Sequence, residues 1–388
     1  MCSAALVSAC SSPAAAPRAD SASARPPVAA LATPTATASP SASTTSASPT
    51  PSVTHRSAPP PPPLPSYCRD GGTALWASLA SCGWPGPGNT GPELSQCPGG
   101  QLTRSGGSLG ATITITTANT VISCEDITGM LNIEAQNVIV KNSVIESNSG
   151  KTGESANGTA DITVSDGASA TIEHVRVNGD DGVHACIWHA GTRLLVDAVD
   201  CYGADDGIWS WADNSYSSTT GDNFVIRNSY FHDFTTATSN GHEDGYQTEG
   251  ASYGVIEHNT YLMTPAADSA IAIWDSLKSS HDISVSDNLI TGGGFAIYAE
   301  DYSPGAGDPG DSSASGGYSV TGISFTDNKF STYAAGCVGQ FGVWFARPTW
   351  APYDGGPTDG WHRGGNRVLE TGQDVDGSNP DNHGQLCT

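Results

Sequence analysis

Positive charge is what this chain has least of: 15 Lys and Arg stand against 39 Asp and Glu, for a formal net charge of −24. Three of the basic residues (Arg18, Arg25, Arg56) and one acid (Asp20) fall before Tyr67, which leaves 12 basic against 38 acidic residues in the rest. Nucleic acid and anionic membrane surfaces are therefore excluded as partners of the main body, since both bind through basic patches. Between Asp161 and Phe345 the basic side chains are Arg176, Arg193, Arg227, Lys278 and Lys329 alone. No Cys-x-x-Cys pair occurs, which argues against a zinc site. The Gly-rich run Gly83 to Gly91 is not followed by Lys-Ser/Thr, so it is not a phosphate-binding loop.

Residues 11–66 lack any periodic apolar face and consist almost wholly of Ala, Ser, Thr and Pro. Such a segment buries too little surface to offset its ordering entropy and is expected to be an extended, disordered tether. Ahead of it, Val7-Ser8-Ala9-Cys10 resembles a bacterial lipobox, which implies a lipid on Cys10 and an extracellular or cell-surface protein anchored to the membrane. Residues 1–10 are read as a truncated lipoprotein signal. The eight remaining cysteines (Cys68, Cys82, Cys97, Cys124, Cys186, Cys201, Cys337, Cys387) form an even set, as disulfides in an exported domain require; spacing does not choose among their pairings.

What the chain has in abundance is repetition. Val140-Lys141-Asn142-Ser143-Val144-Ile145 returns as Ile172 to Val177, Ile226 to Phe231, Ile256 to Tyr261, Val285 to Ile290 and Phe325 to Phe330, with a weaker copy near Leu195-Val196-Asp197. The copies lie about 23 to 40 residues apart, the range of solenoids, and each reads as one short strand plus a turn. A polar residue recurs at one position (Asn142, His174, Asn228, His258, Asp287, Asp327), which predicts a ladder of side chains about 4.8 Å apart in stacked coils. The pattern resembles the right-handed parallel β-helix proteins secreted by bacteria. The expected fold is thus all-β, a single-domain right-handed parallel β-helix over residues 111–345, with a short capping helix in an N-terminal cap at 67–110 and a C-terminal cap at 346–388.

A second strand in each coil carries the chemistry. Aligning Asp181-Gly182, Asp206-Gly207, Asp244-Gly245, Asp268-Ser269 and Gly293-Gly294 puts Val183, Ile208, Tyr246, Ala270 and Phe295 inward, and His184, Trp188, Trp209, Trp211, Gln247, Glu249, Tyr298, Asp275 and Glu300 outward. Aromatic rings among carboxylates and an amide suit a sugar chain, so Trp209, Trp211, Gln247, Glu249 and Tyr298 are the candidate substrate-binding residues. The doublets Asp180-Asp181, Asp205-Asp206 and Glu243-Asp244 stack carboxylates at spacings that serve glycoside hydrolysis of either stereochemistry. Two rival readings stand beside it: calcium bound by Asp181, Asp206 and Glu243, and Asp-Gly turn chemistry.

Gly203-Ala204-Asp205-Asp206-Gly207 is similar to the paired-Asp motif of polygalacturonase-type β-helix hydrolases, and Asn240-Gly241-His242-Glu243-Asp244 is loosely similar to their Gly-His-Gly motif. The resemblance implies Asp205, Asp206 and His242 as catalytic residues; the family's Asn-Thr-Asp and Arg-Ile-Lys motifs have no counterpart. With Asp244 added from the doublets, the expectation is a polysaccharide hydrolase with Asp206 and Asp244 as its working pair. Two alternatives stay open: a calcium-dependent uronate lyase with Lys278 as base, and a non-catalytic glycan-binding adhesin. All three are read as a monomer acting on, or holding, a polysaccharide.

Overall fold

The computed structural model describes residues 64–151, 158–210, 220–236, 241–275, 277–300, 318, 320–347, 361–376 and 386–387. The chain divides into two units, Met1–Pro61 and Pro62–Thr388; Cys10 and nearly all of the tether lie outside the described residues.

The second unit is mostly β and all its strand pairs are parallel, in two sheets between which successive strands alternate: a β-solenoid. One sheet has nine strands, among them Ala160–Val164, Ala185–His189, Asp206–Ser210, Asp244–Thr248, Ser269–Trp274, Phe295–Glu300 and Gly342–Arg347. The other has seventeen and runs in two strips, as in Phe224–Arg227 followed by Tyr230–His232 and Ser252–Glu257 followed by Thr260–Leu262. Each full coil therefore has three flat stretches. Its interior is one continuous apolar core of inward Ile, Val and Phe from every coil, including Ile133, Ile162, Ile172, Ile208, Phe231 and Phe330.

The recurring polar position makes an isolated contact between coils, His258 Nδ1 to Asp287 Oδ2 at 3.0 Å, rather than a continuous ladder. Asn142, His174, Asn228, His258, Asp287 and Asp327 all have φ between +46° and +57°. They occupy the left-handed corner between the two strips, a conformation that Asn, Asp and His tolerate better than other side chains do. The ladder is one residue further on, where the side chain turns into the core. Asn259, Asn288, Asn328 and Asn366 are fully buried, and each backbone N–H donates to the next side-chain oxygen at 3.0–3.1 Å: Asn259 to Asn288, Asn288 to Asn328, Asn328 to Asn366. Their amide nitrogens donate along the same line, and Asp376 ends it by accepting from Asn366.

Residues 67–97 form a strap along the flank of the solenoid. The short helix Thr73–Trp76 and the turns around it pack Leu75, Trp76 and Leu79 on Tyr230 and Leu289. Trp76 Nε1 donates to Ser331 Oγ (3.2 Å), Trp84 stacks on His258, Gly91 N–H donates to Ala198, and Glu93 N–H donates to Asn142 Oδ1. The strap thus runs from late coils back to early ones, where Cys97–Cys124 fastens it. Its apolar side belongs to the solenoid wall, so the segment follows the wall. The other disulfides are Cys68–Cys82 inside the strap, Cys186–Cys201 within a coil, and Cys337–Cys387, which ties the C-terminal residues to the late coils. Four disulfides mark an oxidising, extracellular-type environment.

Candidate functional site

The nine-stranded sheet bends, and the bend makes the site. Strand register aligns Asp206 with Ala185 and Asp244 with Ser269, then Ile208 with Ile187 and Tyr246, and Trp209 with Trp188 and Gln247. Cys186 and Ile187 both lie in the core, so two consecutive residues face inward. The same holds one coil on, where a Cβ on Gly207 would meet Phe231 at 2.9 Å, and in the next, where one on Gly245 would meet Tyr261 at 2.4 Å. Ala185 consequently joins Trp188 and Trp209 in an apolar cluster separate from the core. The row Ala185–Asp206–Asp244–Ser269 thereby comes to the same outer side as the row Trp188–Trp209–Gln247–Ala272, although residues three apart in a flat strand face opposite ways.

This register corrects three alignments made from the sequence, among them Phe295, which is in line with Ser269 and Asp244 of the outer row rather than with inward Ile208 and Tyr246. Asp181 is not the equivalent of Asp206: Asp180 and Asp181 form an exposed turn with φ of +45° and +55°, four residues ahead of the strand, where Asp181 accepts from Thr235 Oγ1 at 2.8 Å. The fourth coil is slipped by one, so Ile271 and Ile273 point inward and Ala272 outward. Asp206-Gly207 and Asp244-Gly245 open strands rather than turns, and there is no room for a side chain at either glycine.

Asp205, Asp206 and Asp244 are fully buried. Asp206 Oδ1 accepts the Asp244 backbone N–H at 2.9 Å, and its Oδ2 lies 3.2 Å from His184 Nε2. His184 Nδ1 accepts the Gly158 N–H at 3.0 Å, which leaves the imidazole proton on Nε2, facing Asp206. Its ring rests on Trp209 with centroids 4.4 Å apart. Burial works to lower the His184 pKa, but the hydrogen bond and charge of Asp206, with the charges of Asp205 and Glu249, outweigh it and raise the value.

Asp244 is pushed well above the ordinary carboxylate range, first by burial and then by the negative charge of Asp206; a hydrogen bond from Ser269 Oγ opposes the shift only in part. Its Oδ2 is buried without a hydrogen-bond partner. Asp268, one residue ahead of that row in the next coil, is exposed, and burial of part of its carboxyl with the charges of Asp206 and Glu243 raises its pKa against the pull of His242. Three carboxyl groups of different character thus meet: buried Asp206, buried Asp244 with its pKa raised, and surface Asp268. Crowding of this kind separates acid from base in one site.

The remaining candidates divide. His242 is half-buried beside Trp274 (5.6 Å, edge-on), and its carbonyl accepts the Asp268 N–H, so it adjoins Asp268. Gln247 and half-buried Glu249 lie on the outer face near the pair. Trp209 is only 7% exposed, packed between His184 and Trp188, and offers no open ring to a sugar. Half-buried Trp188 holds the position one coil earlier. Trp211 lies outside the described residues. Tyr298 stands further along the row against Phe295 and Phe345.

Lys278 belongs to a different place: its ammonium is paired with Asp222 at 2.7 Å and donates to the Thr220 carbonyl at 3.1 Å. Asp222 and Thr220 thus hold Lys278 in an ion pair. Glu243 accepts from Thr236 and Thr264, and with exposed Asp181 and buried Asp206 it forms no cluster. Among the described residues, no group of three or more His, Cys, Asp or Glu is arranged to hold a metal ion.

His184 and Asp268 are the residues that site assignment from sequence missed. Asp268 stands alone rather than in a doublet; its signal was its place at the head of a coil, directly ahead of Ser269. No protein-family model, characterised protein or solved structure matches this chain.

Proposed function

We propose that the solenoid is an extracellular hydrolase of a polysaccharide, with Asp206 and Asp244 as its carboxylate pair. The observation that carries this reading is the asymmetry of the two groups. Burial beside Asp206 raises the Asp244 pKa, while Asp206 is held by the Asp244 N–H and faces the His184 Nε2–H. Both side chains are fully buried, so the site has to open before Asp244 can act as general acid toward the glycosidic oxygen and Asp206 as the carboxylate that acts on the anomeric carbon directly or through water. His184 positions Asp206. Asp268 and His242 lie at the exposed edge of the site, where a sugar arriving from solvent meets them first. Neighbouring coils stand about 4.8 Å apart, within reach of what a glycosidase pair needs. Anchoring of this enzyme at the cell surface through Cys10 is part of the same proposal.

The test is product release from a panel of neutral and acidic polysaccharides, read by new reducing ends and by ultraviolet absorbance of unsaturated uronates, with calcium and with chelator. Reducing ends without absorbance, lost in Asp206→Asn and in Asp244→Asn proteins that still fold, are the expected result. Absorbance that disappears with chelator would replace hydrolysis by elimination. Binding to a polysaccharide without any product would leave an adhesin.

A further inference from the structure

Beyond Asp244 and Ser269 the same outer row continues to Phe295, two coils from Asp244, and the neighbouring row continues through Ala272 to Tyr298 and Phe345. Phe295 lies 5.4 Å from Tyr298, 5.2 Å from Phe345 and 5.7 Å from Phe341 between ring centroids. Phe341 is 51% exposed, an unusual position for a phenylalanine, with its backbone N–H fixed to the Gly294 carbonyl at 2.7 Å. Its ring lies over Gly294, where an added Cβ would be 3.5 Å from Cδ2.

Immediately beside it opens a cavity of about 440 Å3 lined by Pro265, Ala266, Ala335, Cys337 and Gln340. Pro265 and Ala266 belong to the turn that delivers Asp268, and Gly294 N–H bonds to the carbonyls of Ala267 and Asp268. Cavity, exposed ring and surface carboxyl therefore share one corner of the coil. The volume is in the range of small-ligand sites.

We infer that this corner is a sugar-binding subsite for a neutral glycan, with the chain lying along the solenoid axis and one pyranose ring stacked on Phe341. The inference rests on the hydrolase reading for the direction of the chain. Three features support it. The corner continues the two rows that carry the carboxyl pair, about two coil spacings, or about 10 Å, from Asp244. Its apolar rings match the CH face of a pyranose, and Gln340 brings a polar group to its lining. None of the residues named is basic, while Glu243 and exposed Asp268 bring acidic groups at the other end of the path, so a uronate would find no cationic partner there.

The test separates binding from cleavage. Affinity of the full chain for neutral oligosaccharides of increasing length is measured by calorimetry in the wild type and in the Asp206→Asn background. The variants Phe341→Ala and Ala266→Trp, the second filling the cavity, are then compared. Each variant is expected to lose about tenfold in affinity for long oligosaccharides and little for short ones that do not reach the corner. Charged oligouronides of equal length should bind more weakly than neutral ones. Affinity unchanged in both variants, or tighter binding of the oligouronides, would overturn the inference. Cleavage of neutral glycans that is indifferent to Phe341 would sink the subsite and keep the hydrolase. Phe341-dependent binding without cleavage would do the reverse.

Discussion

Replacing Asp206 by Asn changes one atom and tests the whole arrangement. The amide oxygen can still accept the Asp244 N–H, but the amide nitrogen then faces His184 Nε2, 3.2 Å away in the wild type. Because the Gly158 N–H fixes Nδ1 as an acceptor, Nε2 carries a hydrogen, and two donors meet. Turning the amide releases the Asp244 N–H, and switching the imidazole tautomer releases the Gly158 N–H. Either way one donor is left unsatisfied in a buried site, at about 1–3 kcal/mol. Loss of the Asp206 charge offsets part of this, because it relieves the repulsion on Asp244 and Asp268. The melting temperature should therefore fall by only a few degrees. Turnover should fall by about 10²- to 10⁴-fold, the usual contribution of a positioned acid or base. The pH profile supplies the independent readout. Asp244 is required protonated, so activity declines as pH rises through its pKa. Without Asp206 beside it that pKa drops, and the alkaline limb of residual kcat/KM moves to lower pH. Activity within tenfold of wild type, or a limb that stays or moves upward, would refute the assignment of roles.

Asn288→Ala removes the acceptor of the Asn259 N–H and the donors to the Ile256 and Ser286 carbonyls, all inside the core, and should cost about 3–5 kcal/mol in guanidinium unfolding with disulfides intact. Asp287→Gly, at φ +51°, should cost under about 1 kcal/mol or stabilise, and the opposite order would return the ladder to the corner residue. Asp161 is buried in the core with its pKa raised by burial, so the native state holds a proton that the unfolded chain releases, and stability falls as pH climbs from the ordinary carboxylate range through the folded value. Asp161→Asn should match wild type in acid and exceed it near neutrality; parallel pH curves for the two proteins would contradict this. Removing the Cys97–Cys124 bridge with paired Ser substitutions opens a loop of 27 residues, worth about 3–4 kcal/mol. The Gly91 amide, held by Ala198, should then exchange faster while Asn328 in the ladder keeps its protection, and unchanged exchange at Gly91 would show that the strap holds without its staple.

The solenoid was legible because its period is written twice, in apolar alternation and in the Asn, Asp or His at each corner. The function of that corner residue was not legible, since Asn serves equally in a ladder and at positive φ. Only the burial difference between Asp287 and Asn288, exposed and fully buried, separates the two roles. The strap was illegible for a different reason. Trp76, Trp84 and Glu93 read locally as a capped end, yet their partners Ser331, His258 and Asn142 lie up to 255 residues away, beyond any periodic signal. Of the site, Gln247 could be placed on the outer face from alternation, whereas Asp205, Asp206 and Asp244 were legible only from the resemblance and the acidic doublets. His184 was placed on that face but given no role, because its role depends on a backbone donor, Gly158, from the preceding coil. Lys278 looked available only because its partner Asp222 is 56 residues distant.

The extra inward residue in the nine-stranded sheet explains why the carboxylates and the aromatic row can cooperate at all. A flat strand would send Asp206 and Trp209 to opposite faces, and one of them would enter the core. Gly207 and Gly245 permit the bend because each lies against an aromatic ring of the adjoining strip, Phe231 and Tyr261, and against the backbone of the next coil, with Cβ distances to that backbone of 2.2 and 2.6 Å. Any side chain at these positions would push the strand outward and separate Asp206 from the Asp244 N–H that it accepts. Cys186, Ala270 and Ala296 take the same inward position in neighbouring coils, so the bend is common to the sheet and glycine is needed at 207 and 245 because Phe231 and Tyr261 leave no room for a side chain there. Where the glycine is replaced, by Ala270 in the next coil and Ala296 in the one after, the outward residues are Ser269 and Phe295, and the row changes from acidic to apolar.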